Sequence, residues 1–153
     1  MLQLGLESGD QAVLDKLGKG IMLNEAAHAL AALHHAGIAA YVYTLFGTPV
    51  ENEQSARKTM DFVTAHAGAI DFLNISIFNL PRGSIEAQGL ETYDFSEGDL
   101  SLYQGFVHPE GWDRSKIRRF LDKEFKRHPA IARIVRNDPP FFTSNHAPFF
   151  VMN

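Results

Sequence analysis

Apolar and polar positions alternate at the start of the chain, where Leu2, Leu4 and Leu6 are interleaved with Gln3, Gly5 and Glu7. A period of two predicts a β-strand. Ser8-Gly9-Asp10 reads as a turn and helix start, and Val13, Leu14 and Leu17 form an apolar face that stops at Gly18-Lys19-Gly20. Asn24 is placed to cap a second helix that runs through Ala36, with Glu25 in its first turn, Gly37 just past its end and a buried stripe at Ala26, Leu30 and Leu33. From Ile38 to Phe46 the chain is almost continuously apolar, β-branched or aromatic. Such a run predicts a strand covered on both faces, and Gly47-Thr48-Pro49 ends it. A third helix is expected from Asn52 to His66, with Ala56, Met60 and Val63 on one side, and a third strand from Phe72 to Phe78. Strand, helices, strand, helix, strand is the order of an α/β domain whose strands pair in parallel through right-handed crossovers.

Beyond Ser84 the period is lost. Residues 84–111 read as a long loop with one or two short strands, such as Leu100 to Val107. An amphipathic helix is then expected over about residues 113–128, because Trp112, Ile117, Phe120, Leu121 and Phe125 fall at helical spacing. Pro129 ends or kinks it, and a short helix resumes to about Arg136. The phenylalanine- and proline-rich tail from Asp138 is expected to pack as irregular chain over a barrel end. The abrupt strand after Met1 suggests a cut fragment.

Composition narrows the chemistry. The 153 residues carry a formal charge of -4 and are 45% hydrophobic, as in one soluble globular domain. No apolar run reaches the roughly 18–20 residues of a membrane span, and no secretory signal is visible, so a cytoplasmic location is the expectation. The charge is split: residues 113–136 hold nine of the fourteen basic residues against three acids. The aromatic positions of that segment fall on its apolar stripe, so a solvated basic face is preferred to a nucleic-acid surface. There is no cysteine, which excludes disulfides, thiolate zinc sites, catalytic thiols and cysteine-held clusters in this chain. Seven histidines include no pair at zinc spacing, and no Gly-x-Ser-x-Gly, Walker or dinucleotide motif occurs.

In parallel α/β folds the loops after the strands converge on one face. Here that face receives Gly5 to Gly9, Tyr43 to Glu51 and Phe78 to Ser84. A carboxylate (Glu7), a hydroxyl (Ser8), an ammonium (Lys19) and backbone approachable through glycine and proline together suit a zwitterionic nucleoside. Each has a plainer reading: Glu7 or Ser8 as a helix cap, Lys19 as a solvated residue near a helix end, Gly47 and Pro49 as turn formers.

These same residues carry a family resemblance. Leu4-Gly5-Leu6-Glu7-Ser8-Gly9-Asp10-Gln11, followed by Val13-Leu14 and Lys19-Gly20, resembles the fourth-strand segment of radical S-adenosylmethionine (SAM) enzymes, especially those often carrying a cobalamin-binding domain. Leu45-Phe46-Gly47-Thr48-Pro49-Val50-Glu51 is similar to their fifth-strand segment, with Val50 where a glycine is common. Phe78-Asn79-Leu80-Pro81-Arg82-Gly83-Ser84 is similar to the sixth-strand end, where Pro-Gly-Thr is more usual. The resemblance covers about residues 2–85.

It implies that residues 1–85 are the last three strand–helix units of a partial (β/α)6 TIM-like barrel, and that residues 86–153 are a C-terminal extension. It further implies an iron–sulfur oxidoreductase parent in which Glu7 and Ser8 lie against the SAM ribose and amino-acid moiety and Lys19 pairs with its carboxylate. Tyr43, standing where relatives can have an acid, approaches the ribose, and backbone near Gly47 and Phe78, Asn79 and Leu80 borders adenine. The family holds a [4Fe-4S] cluster on a Cys-x3-Cys-x2-Cys loop after the first strand, and this chain has no such loop. Alone it is therefore expected to bind no cluster and to be inactive. Cobalamin is a further cofactor open to the parent. The expected partner is the missing N-terminal half of the barrel, or a second copy joined at the exposed sheet edge. A stand-alone α/β binding or dimerisation module is the competing reading, and a piece of an ordinary TIM-barrel lyase a third.

Overall fold

The fold described is that of a computed structural model covering residues 1–94 and 98–137. Three strands, β1 (Leu2–Glu7), β2 (Ala40–Phe46) and β3 (Phe72–Ile77), form one parallel sheet in the order β1-β2-β3. Helices α1 (Gln11–Lys16) and α2 (Leu23–His35) link β1 to β2, and α3 (Glu53–Ala65) with a short 3-10 turn links β2 to β3. The α/β order expected from the hydrophobic pattern is thus present, with β2 starting two residues later and β3 ending one residue earlier than the pattern suggests.

Alternation along each strand sorts the side chains onto two faces. Leu6, Val42, Phe46 and Leu73 join one apolar cluster with Leu30 of α2 and Val63 of α3. Phe46 is wholly buried, its ring 5.0 Å from that of Phe125. The opposite face is different: Tyr43, Leu45, Asn74 and Ser76 are only half-buried. The apolar run through β2 had suggested cover on both sides. Helices among the described residues cover one side of it, and aromatic neighbours shelter Tyr41 and Phe72 at the base of the other.

Local capping explains where the helices begin. Asp10 caps α1 by accepting from the Ala12 N–H at 3.1 Å, and Asn52 caps α3 by accepting from the Ser55 N–H at 3.0 Å. The expected cap of α2 at Asn24 is corrected: α2 starts after Met22, and Asn24 lies inside its first turn. The reason is a side chain from α1. Gln11 accepts from the Leu23 N–H and donates to the Ile21 carbonyl, both at 2.9 Å, so an exposed N-terminal donor is satisfied without a local cap.

After β3, the short strands β4 (Leu80–Pro81) and β5 (Tyr103–Gln104) pair antiparallel, and Thr92 bridges Phe106. The strand expected from Leu100 to Val107 is reduced to that two-residue ladder and bridge. The expected basic helix is two helices. Asp113 caps α4 (Arg114–Lys123) with bonds from the Ser115 and Lys116 N–H groups; the backbone leaves helical geometry at Glu124 and a 3-10 turn follows. Pro129 then opens α5 (Pro129–Asn137), as the first helical position allows. Ile117, Phe120, Leu121 and Phe125 enter the core, as their spacing predicts. Arg57 of α3 fastens α4 to the body: it donates to Glu124 at 2.6 Å and to Glu53 at 2.7 Å, and it lies 5.5 Å from the Phe120 ring centre. Among the described residues no helix is long and apolar enough to cross a membrane. The tail from Asp138 lies outside the described residues.

Candidate functional site

The half-buried face of the sheet carries polar side chains from the middle of its strands onward. Gly5, Tyr43 and Asn74 stand side by side in register across β1, β2 and β3. They border an open concavity of about 400 Å³ with Glu7 and Ser76. At Glu7 the pairing register shifts and the backbone turns left-handed, with φ of 63°, at the single non-glycine residue of positive φ among those described. A side chain in that region costs on the order of 1 kcal/mol. The turn folds the Glu7 carboxylate back over the strand, so that a Cβ on Gly5 would meet Oε1 at 3.1 Å. Lys19, from the loop after α1, brings its Nζ to 3.8 Å from the same oxygen. Beside this pair, the Ser76 hydroxyl donates to Asn74 Oδ1 at 2.5 Å, and the Tyr43 ring stacks on Tyr41 with centres 4.8 Å apart. Carboxylate, ammonium, phenol, amide and hydroxyl therefore share one shallow polar surface.

Ser8 points elsewhere. It is buried; its hydroxyl accepts from the Asp10 N–H at 3.1 Å and lies 3.3 Å from Thr59 Oγ1, which also accepts from the Gly9 N–H at 2.9 Å. Gly9 is required here, since a Cβ would sit 2.6 Å from the Thr59 Cα. Burial pushes the Asp10 carboxyl up, but hydrogen bonds from Lys58, Ser55 and the Ala12 N–H outweigh it and hold Asp10 below the usual carboxylate range. Ser8, Gly9 and Asp10 thus anchor the end of β1 to α3, and only Glu7 of this cluster faces the concavity.

Gly47, Phe78, Asn79 and Leu80 gather in a second place, past the ends of β2 and β3. They border a cavity of about 280 Å³ closed by Phe106, His108, Trp112 and Ile117 of the C-terminal extension. None of its lining residues is shared with the open concavity. Gly47 has a φ of 78°, and its missing Cβ makes room for Ile117, whose Cδ1 would lie 2.4 Å away. Here the glycine serves close packing of strand end against helix, as Gly9 does. His108 is buried with both ring nitrogens engaged: Nδ1 accepts from the Glu110 N–H at 3.2 Å and Nε2 lies 3.0 Å from the Thr48 carbonyl. Burial lowers its pKa, against the opposing pull of Thr48, Glu110 and Asp113.

Glu51, which closes the fifth-strand segment of the resemblance but has no role assigned there, holds this second region together. Fully buried, it accepts from the Gly47 N–H and, at 3.3 Å, from the Trp112 indole N–H. Among the described residues its Oε1 has no partner, and neither does the buried Thr48 hydroxyl. Burial pushes the Glu51 carboxyl up to about 7, the hydrogen bonds from Gly47 and Trp112 pulling the other way and Asp10 adding to the rise. The signal for this residue was the pairing of an acid shortly after a strand with the chain's single tryptophan 61 positions later, which no local period reveals. Among the described residues no three His, Asp or Glu side chains gather as metal ligands. Compared with known proteins, the chain matches no family model, and no curated protein is significantly similar to it.

Proposed function

We propose that the open face of the sheet is one wall of a SAM pocket and that the chain is the C-terminal part of a partial (β/α)6 barrel from a radical SAM iron–sulfur oxidoreductase. One observation carries the reading: a parallel sheet is packed by helices on one face, while the other gathers Tyr43 and Asn74 from the middle of their strands with Glu7 at the end of β1 and Lys19 beside it. A carboxylate and an ammonium 3.8 Å apart complement a ligand that carries both charges. In this reading Glu7 takes the ligand ammonium, Lys19 its carboxylate, and Tyr43 the ribose. Gly47 and Phe78 to Leu80 line the separate cavity, so the adenine contact that the resemblance implies for them is left out of this reading, and Ser8 acts by positioning Glu7. The chain has no cysteine, so its own residues do not suit a [4Fe-4S] cluster, and no redox step is assigned to them. The preceding barrel strands would cover the free edge of β1.

The test uses S-adenosylhomocysteine, which needs no cluster. Calorimetry on the chain is expected to show weak saturable binding, reduced about tenfold by Glu7→Gln or Lys19→Ala, as loss of one charge-assisted contact implies. Binding unchanged by either substitution, or none at all, contradicts the reading.

One observation favours a stand-alone binding or dimerisation module instead. Leu2, Met22 and Ile38 are 42–49% exposed, and a groove between β1 and α2 is lined by Leu4, Ile21 and Ala29. Sedimentation together with the calorimetry separates the readings: a tight dimer through this edge that binds no S-adenosylhomocysteine supports the module.

A further inference from the structure

The cavity beyond β2 and β3 has no part in the polar surface described for SAM, and its walls are of a different kind. We infer that it is a binding site for a small planar aromatic acid. The rings of Phe78 and Phe106 meet edge to face with centres 6.0 Å apart, and Trp112, Ile77 and Ile117 complete an apolar lining. Small-molecule sites have this make-up, an aromatic interior with a few polar groups at the mouth. The interior is set in advance. Glu51 holds the Trp112 indole nitrogen, and the two nitrogens of His108 are engaged by Glu110 and Thr48, so both side chains offer ring surface and no free hydrogen-bonding group.

The mouth supplies charge. Arg114, the first residue of α4, donates through one Nη to Asn79 Oδ1 at 2.8 Å, a neutral acceptor. Its other N–H groups form the planar fork that suits a carboxylate. The acid beside it, Asp113, is occupied: Oδ1 accepts from the Ser115 and Lys116 N–H groups at 2.9 Å, and Oδ2 lies 3.9 Å from Lys116 Nζ. Those backbone bonds, followed by Lys116, hold Asp113 below the usual carboxylate range after burial, which works weakly against them. A ring seated against the paired Phe78 and Phe106 thus leaves its acid group facing Arg114, in a cavity of about 280 Å³ that accommodates a molecule of one or two rings.

Trp112 is the only tryptophan and lines this cavity, so its emission responds to a ligand entering it, and the Arg114→Gln variant ties that response to this mouth. Benzoate and benzamide are the probes, titrated against the full chain and against Arg114→Gln, an exposed change whose folding is checked by circular dichroism. Saturable change of Trp112 emission is expected with benzoate, weakened about tenfold in Arg114→Gln, while benzamide binds both proteins alike and more weakly than benzoate. No saturable response, equal binding of the two probes, or benzoate affinity unchanged in Arg114→Gln overturns the inference. Competition by S-adenosylhomocysteine also overturns it, by assigning the cavity to the nucleoside. Because that ligand is otherwise expected to bind without displacing benzoate, failure of either site leaves the other standing.

Discussion

The same three strands present two surfaces that obey different rules. On one, Val42, Phe46 and Leu73 are buried in the apolar cluster formed with the helices. On the other, one residue away in each strand, Tyr43, Asn74 and Glu7 stay half-buried around a polar hollow, and the backbone at Glu7 is held in a conformation that costs free energy. The first surface is optimised for folding. Strain and unburied polar groups persist on the second, which is the pattern of a surface kept for a ligand.

Substitutions break or sharpen this contrast. The largest effect is expected at Phe46, where Phe46→Ala removes a wholly buried ring and costs about 3–5 kcal/mol in urea unfolding. Tyr43→Ala, on the next side chain but two, is expected to cost only about 1 kcal/mol, the scale of one aromatic pair. Equal losses at the two positions would show that the open face is as structural as the packed one.

Next is Glu51, whose effect depends on pH. Its folded pKa of about 7 lies above the ordinary value of 4.5, so the native state holds the proton more tightly than the unfolded chain. Unfolding stability is therefore expected to be fully supported by this group below pH 4.5 and to fall as pH rises toward about 7, by an amount on the order of 3 kcal/mol. Glu51→Gln keeps an acceptor for the Gly47 and Trp112 N–H groups and removes the titration, so the fall with pH is lost and only the opposite, rising contribution of His108, whose pKa is lowered by burial, remains in this window. Glu51→Ala leaves both donors unpaired and is destabilised at every pH. A wild-type profile that rises with pH over the same window would contradict the assignment.

A smaller loss is expected for Gly9→Ala, about 1–3 kcal/mol by thermal or urea unfolding, because the added methyl meets the backbone of Thr59 and Lys58, which cannot swing aside. The smallest effect has the opposite sign. Glu7→Gly relieves the left-handed strain and is expected to stabilise the fold by about 1 kcal/mol while abolishing S-adenosylhomocysteine binding. Stabilisation without loss of binding would mean that the strain at Glu7 serves no ligand.

Much of this architecture was readable from local pattern, and what was not readable lies in long-range contacts. The period of two at Leu2–Glu7, the apolar runs of β2 and β3 and the helical spacing of Ala56, Met60 and Val63 locate the sheet and its crossovers, because hydrophobic periodicity is a property of neighbouring residues. Asn52 caps α3 as its side chain suggests, whereas Asn24 loses the equivalent role to Gln11, thirteen residues earlier. Of the residues expected around one ligand, Glu7, Lys19 and Tyr43 do share a surface. Ser8 turns into the body because the register shift at the end of β1 changes which side chain faces out, and Gly47, Phe78, Asn79 and Leu80 line the separate cavity. That cavity depends on Phe106 and His108, from a stretch with no period, and on Trp112, whose helical spacing says nothing of its bond to the distant Glu51.

The most direct test of the account is to record side-chain NMR signals during titration with S-adenosylhomocysteine. The expected result is movement of the Tyr43 ring and of the Asn74 and Gln3 side-chain amides, with the Val42, Leu4 and Leu73 methyls still. Movement of those methyls in place of the polar signals, or no movement on either face, would contradict it.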